Sequence, residues 1–352
     1  MKRIDNPEDK IKKKNWGLWV LLGFIAFIII AVYAVFLFFY SKTVYQRERK
    51  MTPEASVSSI QEAASEAEAA AAERGEIVVG LTIEEEEAAR RAMLVTVDPL
   101  PLDQMDDTYN ILLIGVDRRD RSWNGNSDTM ILITLNNTKK VMYMTSFMRD
   151  LYADVPDWGI RKMNFAYAIG GGALLSKVLE QNYGVKIDNY AAVDFMGMQN
   201  IVDVMGGIDM EIADYELPAM KTVGITTAGQ HHLNGEQALT YSRIRHYGNS
   251  DFERTNRQRD VLIALMDNAR NMTFSQLIKA TDAVLPNVIH NLPQRTVLLQ
   301  LPKVPTYLSY ELSELRIPAD GTYHVVEEIL IPNDINETIK DLRFTLYSVT
   351  DQ

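Results

Sequence analysis

The sequence predicts an α/β layered domain that follows a single membrane-spanning helix and a helical stalk. Three observations support this organisation. Residues 16–40 form an uncharged stretch of 25 residues, and residues 52–93 are rich in Ala and Glu. From about residue 110 onward, short apolar stretches of β-type composition alternate with helix-like segments. Such alternation is typical of domains in which helices pack on a sheet.

The uncharged segment 16–40 is long enough to cross a lipid bilayer. At ~1.5 Å rise per residue it spans a hydrocarbon core of ~30 Å with some tilt, and aromatic residues lie at both of its ends. A cleaved signal peptide is the alternative, but its apolar region would be only ~7–15 residues long and would precede a small-residue cleavage site. Six Lys and Arg residues precede the span and four follow it closely. This bias predicts a single-pass protein of the cell membrane, with residues 1–15 in the cytoplasm and the C-terminal domain outside the cell.

Residues 41–100 are predicted to form an extracellular stalk or linker. Their Ala- and Glu-rich composition favours solvated helix, and they lack the sustained apolar heptad of a coiled coil. Pro99 and Pro101 mark the start of the globular domain, predicted at 101–352.

Composition excludes several kinds of chemistry. The chain has no cysteine, which rules out disulfides, zinc–thiolate sites and thiol nucleophiles. The formal net charge is -11, so the molecule as a whole is unsuited to binding a polyanion, and we expect no nucleic-acid partner. Any anion-binding site must therefore be local.

Three predicted strands between residues 110 and 150 place charged residues at the same edge of the predicted sheet. A tight turn at residues 136–140 joins the second and third strands as an antiparallel hairpin. Asp117 then ends the first strand, Asp128 starts the second, and Arg149 ends the third. All three would lie on the edge of the sheet where ligands of open α/β sheets bind. Two carboxylates and a guanidinium suit a divalent metal and a phosphorylated ligand.

A second group of cations surrounds the start of a predicted helix that follows Asp251. A helix N-terminus already carries partial positive charge, so arginines in its first turn are unfavourable unless an anion binds there. The alternative is that Asp251 and Glu253 pair with these arginines on a solvated surface. Four arginines within fifteen residues favour the anion site; they are Arg243, Arg245, Arg254 and Arg257.

Other motifs predict no further chemistry. The pair His231-His232 lacks the spacing of a metal site, and no GxSxG nucleophile motif occurs. The glycines at 170–172 match neither a P-loop nor a dinucleotide motif, so they are interpreted as a plain turn that precedes a helix over 173–183.

Taken together, these motifs resemble the LytR-CpsA-Psr (LCP) family of cell-wall phosphotransferases. The resemblance covers roughly residues 110–270 and rests on several ordered elements, among them GVD-x-R, SDT, S-x-x-RD, NGEQAL-x-Y-x-R-x-R and D-x-x-R-x-x-RQ. The polar residues that carry it are Asp117, Arg119, Asp128, Arg149, Asp150, Lys162, Asn164, Arg243, Arg245, Asp251, Arg254, Arg257 and Gln258.

The resemblance implies a fold, a site and a reaction. The fold would be a three-layer sandwich, in which a mixed central β-sheet is flanked by helices and an apolar pocket holds a polyprenyl chain. The reaction would move a teichoic acid or capsular glycopolymer from undecaprenyl pyrophosphate to a peptidoglycan hydroxyl. The implied roles are Mg²⁺ binding by Asp117 and Asp128, catalysis by Arg149, Arg243, Arg245 and Arg254, and substrate binding by Arg119, Lys162, Arg257 and Gln258.

Three positions depart from the family pattern. Asn126 stands where the family usually has Arg, Met148 where it has Pro, and Glu253 where it has Gly. The changes at Asn126 and Glu253 both weaken the local positive field. Two alternatives stay open beside the phosphotransferase. One is a polyprenyl-pyrophosphate phosphatase that has the same site and uses water as acceptor. The other, motivated by Asn126 and Glu253, is a non-catalytic protein that binds the lipid pyrophosphate during wall assembly.

Overall fold

The computed structural model describes residues 107–117, 124–245, 250–273, 276 and 285–347, together with residues 37, 40, 41, 44 and 45. Nearly all of the predicted span at 16–40 and of the predicted stalk at 41–100 lies outside these residues, as does Arg119. Within the part that is described, no helix combines the length and the apolar character needed to traverse a bilayer.

Thirteen strands and eight α-helices are used below to describe these residues. The strands are β1 (Val44–Tyr45), β2 (Thr108–Asp117), β3 (Asn126–Asn136), β4 (Val141–Phe147), β5 (Tyr152–Val155), β6 (Gly159–Lys162), β7 (Asn189–Asp194), β8 (Ile208–Ile212), β9 (Gly229–Leu233), β10 (Val288–His290), β11 (Glu311–Ile317), β12 (Tyr323–Val326) and β13 (Ile329–Pro332). The helices are α1 (Met163–Tyr183), α2 (Phe195–Val204), α3 (Leu217–Met220), α4 (Gly235–Ser242), α5 (Ser250–Asn271), α6 (Gln294–Gln300), α7 (Val304–Tyr307) and α8 (Ile335–Tyr347).

The central sheet is mixed and has the strand order β1-β10-β7-β2-β3-β4-β11. Strands β2, β3 and β4 form an antiparallel meander, so the predicted hairpin at residues 136–140 is confirmed. Strand β7 runs parallel to β2, and β11 runs parallel to β4. Three further two-stranded sheets pair β5 with β6, β8 with β9, and β12 with β13.

Helices cover both faces of the sheet, because successive residues of the central strands point to opposite sides. Leu132 of β3 packs in one core cluster with Leu179 of α1 and Leu342 of α8. The next residue, Ile133, belongs to a cluster on the other face, against which Met266 of α5 packs. The predicted α/β class, with a mixed central sheet flanked by helices, is therefore confirmed.

One local prediction was wrong: the glycines at 170–172 do not precede a helix but lie inside α1, which starts at Met163. Gly171 has φ 62° and ψ -160°, so the helix is kinked there rather than begun there. A Cβ atom at Gly172 would lie 2.4 Å from the ring of Tyr190 in β7. Glycine is required at this point because the helix passes so close to the sheet.

Candidate functional site

Four strands deliver polar residues to one edge of the central sheet. β2 ends at Asp117, β3 begins at Asn126, and β4 ends one residue before Met148 and two before Arg149. β7 ends at Asp194, which is paired in register with Val116 of β2. The alternating strand directions thus bring side chains from distant parts of the chain to a common edge.

A β-bulge orients Asp128 at this edge. Val116 pairs with Ser127 and Gly115 pairs with Thr129, so Asp128 is the extra residue between the two pairs. Bulges of this kind redirect a side chain and are frequent beside functional sites. A Cβ atom at Gly115 would lie 2.8 Å from Cβ and Oγ1 of Thr129, so only glycine allows this close approach.

Arg149 lies at the centre of a group of carboxylates. Its Nη1 atom donates to Oδ1 of Asp128 at 3.0 Å, and its Nε atom donates to Oδ2 of Asp251 at 3.3 Å. The same Nε atom is 3.5 Å from Oδ2 of Asp150. Burial disfavours the charged guanidinium, but the three carboxylates outweigh this effect and raise the pKa of Arg149 above its ordinary value.

Asp251, in the first turn of α5, pairs with three guanidiniums. Its Oδ1 atom lies 3.3 Å from Nε of Arg245 and 3.5 Å from Nη1 of Arg254, and its Oδ2 atom accepts the bond from Arg149. Burial opposes the charged carboxylate, but Arg254, Arg149 and Arg245 together lower the pKa of Asp251. Asp251 therefore stays ionised and offsets the positive charge at the start of the helix.

Arg254 is a buried cation whose hydrogen bonds are incomplete among the described residues. Its side chain is only 5% exposed, and its Nε atom is buried with no hydrogen-bond partner among the described residues. Burial and the nearby charge of Arg149 both lower the pKa of Arg254. A buried donor without an acceptor is costly, and an anion bound at this point would supply the missing acceptor.

Arg243 and Lys162 reach the edge from its two sides. Arg243 follows α4 and lies over the ring of Phe195, 4.5 Å from its centroid, where α2 begins after Asp194. Lys162 ends β6, and its Nζ atom lies 3.3 Å from Oδ1 of Asp150 and 2.9 Å from Oε2 of Glu328. The structure thus brings Arg149, Arg245, Arg254 and Lys162 into one ionic network with Asp128, Asp150 and Asp251.

Glu328 is a member of this network that sequence reasoning missed. It lies on the two-residue turn between β12 and β13, where Glu327 and Glu328 both have positive φ values of 47° and 63°. Two consecutive glutamates between apolar strand residues were the available signal, since turns of this shape favour Asn or Gly.

Arg257 lies apart from the network. Its Nε atom donates to Oε1 of Glu216 at 2.7 Å and its Nη1 atom donates to the carbonyl of Ile244 at 3.2 Å. Both members of the ion pair are 4% exposed. The third nitrogen, Nη2, lies 3.5 Å from Glu253. The contacts of Arg257 therefore join α5 to the segment before α3, and its substrate-binding role stays a prediction, as does that of the half-buried Gln258.

The alternative in which Asp251 and Glu253 pair with the arginines is partly realised. Asp251 pairs with Arg245 and Arg254, and Glu253 pairs with Arg257. The setting is not a solvated surface, however, because Arg254 and Arg257 are both buried. These ion pairs therefore form although Nε of Arg254 has no hydrogen-bond partner among the described residues.

The carboxylate oxygens at this edge of the sheet are too few to hold a metal ion unless a phosphate supplies further ligands. Among the described residues, no group of three or more His, Asp or Glu side chains is arranged to hold a metal. Asp117 and Asp128 supply two half-buried carboxylates. Mg²⁺ commonly uses one or two carboxylates, with phosphate oxygens and water completing its octahedron. Two carboxylates are compatible in kind and number with the implied magnesium site, which stays a prediction.

A cavity of about 460 Å³ lies one strand beyond Arg149, between β11 and α8. Apolar side chains and carboxylates both line it, including Leu315, Ile317, Leu342, Asp334 and Glu337. It is not the purely apolar pocket that the resemblance implies for a polyprenyl chain, and that pocket stays a prediction.

Comparisons with known proteins agree on one family. The LytR_cpsA_psr family model matches residues 56–341. Regulatory protein MsrR of Staphylococcus aureus (strain COL) is 32% identical over 231 residues, which are 63% of this chain and 68% of MsrR. Polyisoprenyl-teichoic acid–peptidoglycan teichoic acid transferase TagU of Oceanobacillus iheyensis is 37% identical over 182 residues, which are 49% of this chain and 55% of TagU. The solved structure of TagT bound to LI-WTA aligns with a TM-score of 0.57 at 25% identity, covering 69% of this chain and 92% of that one.

Proposed function

Because this chain belongs to the LytR_cpsA_psr family, we propose that it is a phosphotransferase that moves an anionic or capsular glycopolymer from undecaprenyl pyrophosphate to peptidoglycan. The observation that carries the proposal is the buried Nε atom of Arg254, which has no hydrogen-bond partner among the described residues and lies beside Arg149 and Arg245. A pyrophosphate at the sheet edge would accept a hydrogen bond from that donor. The similarity to TagU, a teichoic acid transferase, and to TagT bound to LI-WTA supports a teichoic acid as one class of cargo.

The chemistry we propose is electrostatic. As the acceptor oxygen attacks phosphorus, the bond to undecaprenyl phosphate breaks and negative charge grows on the departing oxygen. Arg149, Arg245 and Arg254 would bind that oxygen and its neighbours through planar, paired hydrogen bonds. Donors that are already in place need no reorganisation during the reaction, so they stabilise the transition state more than solvent would.

Further roles follow for the other predicted residues. Asp117 and Asp128 would hold Mg²⁺, which supplies additional positive charge to the phosphate oxygens when bound. Arg243, held over Phe195, would contact the pyrophosphate from the side of β7, and Arg119 and Lys162 would bind the substrate at the rim. We place the catalytic domain outside the cell, tethered by the predicted span at 16–40, because a membrane-bound lipid donor is met most readily by an anchored enzyme.

The proposal is tested by a transfer assay with the full chain reconstituted in vesicles. The donor is an undecaprenyl-pyrophosphate-linked glycopolymer, and isolated peptidoglycan is added or left out. We expect covalent attachment to peptidoglycan, and a loss of ~10²–10³-fold in rate for Arg149→Gln, as for removal of a group that stabilises transition-state charge. Arg270→Gln is the control, since Arg270 lies at the exposed C-terminal end of α5, away from the site and paired with Asp267.

The same assay separates the two alternatives. Release of free glycan phosphate at equal rates with and without peptidoglycan would indicate a phosphatase. Binding of the donor with no product under either condition would indicate a non-catalytic wall-assembly protein, as the departures at Asn126 and Glu253 suggest.

A further inference from the structure

We infer that the Asp150 carboxylate is the general base that takes the proton from the acceptor hydroxyl. The inference rests on the proposed function and assigns a residue to a step that the arginines cannot perform. The three carboxylates that surround Arg149 differ in the partners that each contacts, and this difference points to Asp150.

Asp128 and Asp251 are both committed to other partners. Asp128 accepts the bond from Nη1 of Arg149 at 3.0 Å and is one of the two predicted metal ligands. Asp251 uses both of its oxygens on guanidiniums, Oδ1 on Arg245 and Arg254 and Oδ2 on Arg149. Three guanidiniums around Asp251 disfavour its protonated form, and Asp128 is occupied by Arg149 and by the predicted metal, so neither residue is assigned as the base.

The carboxylate of Asp150 makes longer contacts than its backbone carbonyl does. Its oxygens lie 3.5 Å from Nε of Arg149 and 3.3 Å from Nζ of Lys162, longer than the ~2.7–2.9 Å of a strong charge-assisted bond. The carbonyl of Asp150, in contrast, accepts a 2.8 Å bond from the amide of Leu330 in β13. The residue is therefore fixed in position while its carboxylate, 18% exposed, can exchange a partner for a substrate hydroxyl.

The surroundings of Asp150 and Asp251 shift the pKa values of these two neighbouring carboxylates in opposite directions. Burial raises the pKa of Asp150 in spite of Arg149 and Lys162, and the charge of Asp251 raises it further. The pKa of Asp251 is lowered by its arginines and by a hydrogen bond with Asp150, and the same bond raises the pKa of Asp150. Asp150 is thus the member of this hydrogen-bonded pair that takes up a proton more readily, as a base requires. The groups that face Asp150 are Arg149 from its own turn, Lys162 from β6 and Asp251 from α5, with Glu328 behind Lys162.

The proposed step balances in atoms and charge. The acceptor O–H bond breaks, its proton passes to Asp150, and the new O–P bond forms as the bond from phosphorus to the undecaprenyl phosphate oxygen breaks. The electron pair of that bond leaves with undecaprenyl phosphate. Lys162 does not lose its counter-charge when Asp150 becomes neutral, because Glu328 lies 2.9 Å from its Nζ atom.

The test uses the full chain in vesicles and measures the single-turnover transfer rate across pH, with donor affinity measured by calorimetry. We expect Asp150→Asn to slow transfer by ~10²–10⁴-fold, which is the range expected for loss of a general base. The acidic limb of the pH–rate profile should also disappear. Donor affinity should change by less than a factor of about three, because Asp150 is not a ligand of the pyrophosphate. Asp267→Asn, on the exposed side of α5, is the control and should leave rate and profile unchanged.

Chemical rescue distinguishes a base from a residue that only orients Arg149. Transfer by Asp150→Gly should recover in part with added formate, which restores a carboxylate but no covalent support. If the wild type is active and Asp150→Asn has the same pH–rate profile as the wild type, the inference is overturned. The proposed function is not affected by that result. A donor affinity that falls more than about tenfold in Asp150→Asn, without rescue, also overturns it. Absence of transfer by the wild type itself would instead contradict the proposed function.

Discussion

Asp251 illustrates how single side chains set the charge balance of this site. One carboxylate contacts three guanidiniums, of Arg149, Arg245 and Arg254, at a helix start that already carries positive charge. Among the described residues, Nε of Arg254 still has no hydrogen-bond partner. The carboxylates of the site thus meet the hydrogen-bonding needs of these arginines only in part.

Arg257 offers a sharp contrast, because its contacts indicate a structural role. Replacing Arg257 by Met leaves the buried Glu216 without its cation, with only the amide of Ala213 still donating to it, and we expect a loss of ~3–5 kcal/mol in the free energy of unfolding. The double variant Arg257→Met/Glu216→Leu should recover most of that stability, and transfer activity with it. Urea unfolding and the transfer assay measure the two quantities. Restored stability with activity still absent would show that Arg257 binds substrate after all.

Among the local elements, the turn between β12 and β13 carries strain that points to function. Glutamates occupy two consecutive positions with positive φ, which L-residues adopt at a cost of ~1–2 kcal/mol each. The turn presents Glu328 to Lys162, so the unfavourable backbone is retained where it positions a charge.

Replacing both glutamates should separate stability from activity. Glu327→Asn/Glu328→Gly matches the residue preference of such a turn, and we expect a gain of about 1 kcal/mol in unfolding free energy together with slower transfer. The control is Glu327→Asn alone, which relieves strain but keeps the ion pair with Lys162. If the double variant were as active as the control, Glu328 would have no part in positioning Lys162.

A second local element, the β8–β9 hairpin, should respond to pH through His232. Its Nδ1 atom lies 2.6 Å from Oδ1 of Asp209 and its Nε2 atom lies 2.6 Å from the carbonyl of Gly206. Both nitrogens face acceptors, so only the protonated ring donates to both, and the hydrogen bond with Asp209, followed by that with Gly206, raises the pKa of His232.

The sign of the pH effect follows from that raised pKa. The contribution of His232 to stability is fully present below the unfolded pKa of ~6.5 and is lost as pH rises through the higher folded pKa. The stability difference between wild type and His232→Gln should therefore be largest in mild acid and shrink above neutrality. Thermal unfolding across pH measures it, and a difference that grew with pH would contradict the assigned contacts.

Across the full chain, the strand order near the site was predictable and the fine geometry was not. The short turn at 136–140 and the apolar stretches beside it were enough to place Asp117, Asp128 and Arg149 on one edge. The bulge at Asp128 depends on tertiary register, which the local pattern does not encode. The kinked passage of α1 through its glycines depends on contact with Tyr190, and Glu328 reaches Lys162 from 166 positions away. Such long-range pairings leave only weak local signals.

In a molecule whose net charge is -11, the sheet edge brings four cations together with carboxylates. Arg149, Arg245, Arg254 and Lys162 are each paired with at least one carboxylate there. The positive charge of the site is therefore local and largely paired, and the anion that we propose would meet the remaining donor, Nε of Arg254.

The decisive measurement is the affinity of the full chain for geranyl pyrophosphate, by calorimetry, in the wild type and two arginine variants of α5. We predict that Arg254→Gln weakens binding by ~10–100-fold, as expected for loss of a charged hydrogen bond worth ~1.5–3 kcal/mol. Arg270→Gln, at the exposed end of the same helix, should bind as the wild type does. Equal affinities for all three proteins would contradict a pyrophosphate site at this edge of the sheet.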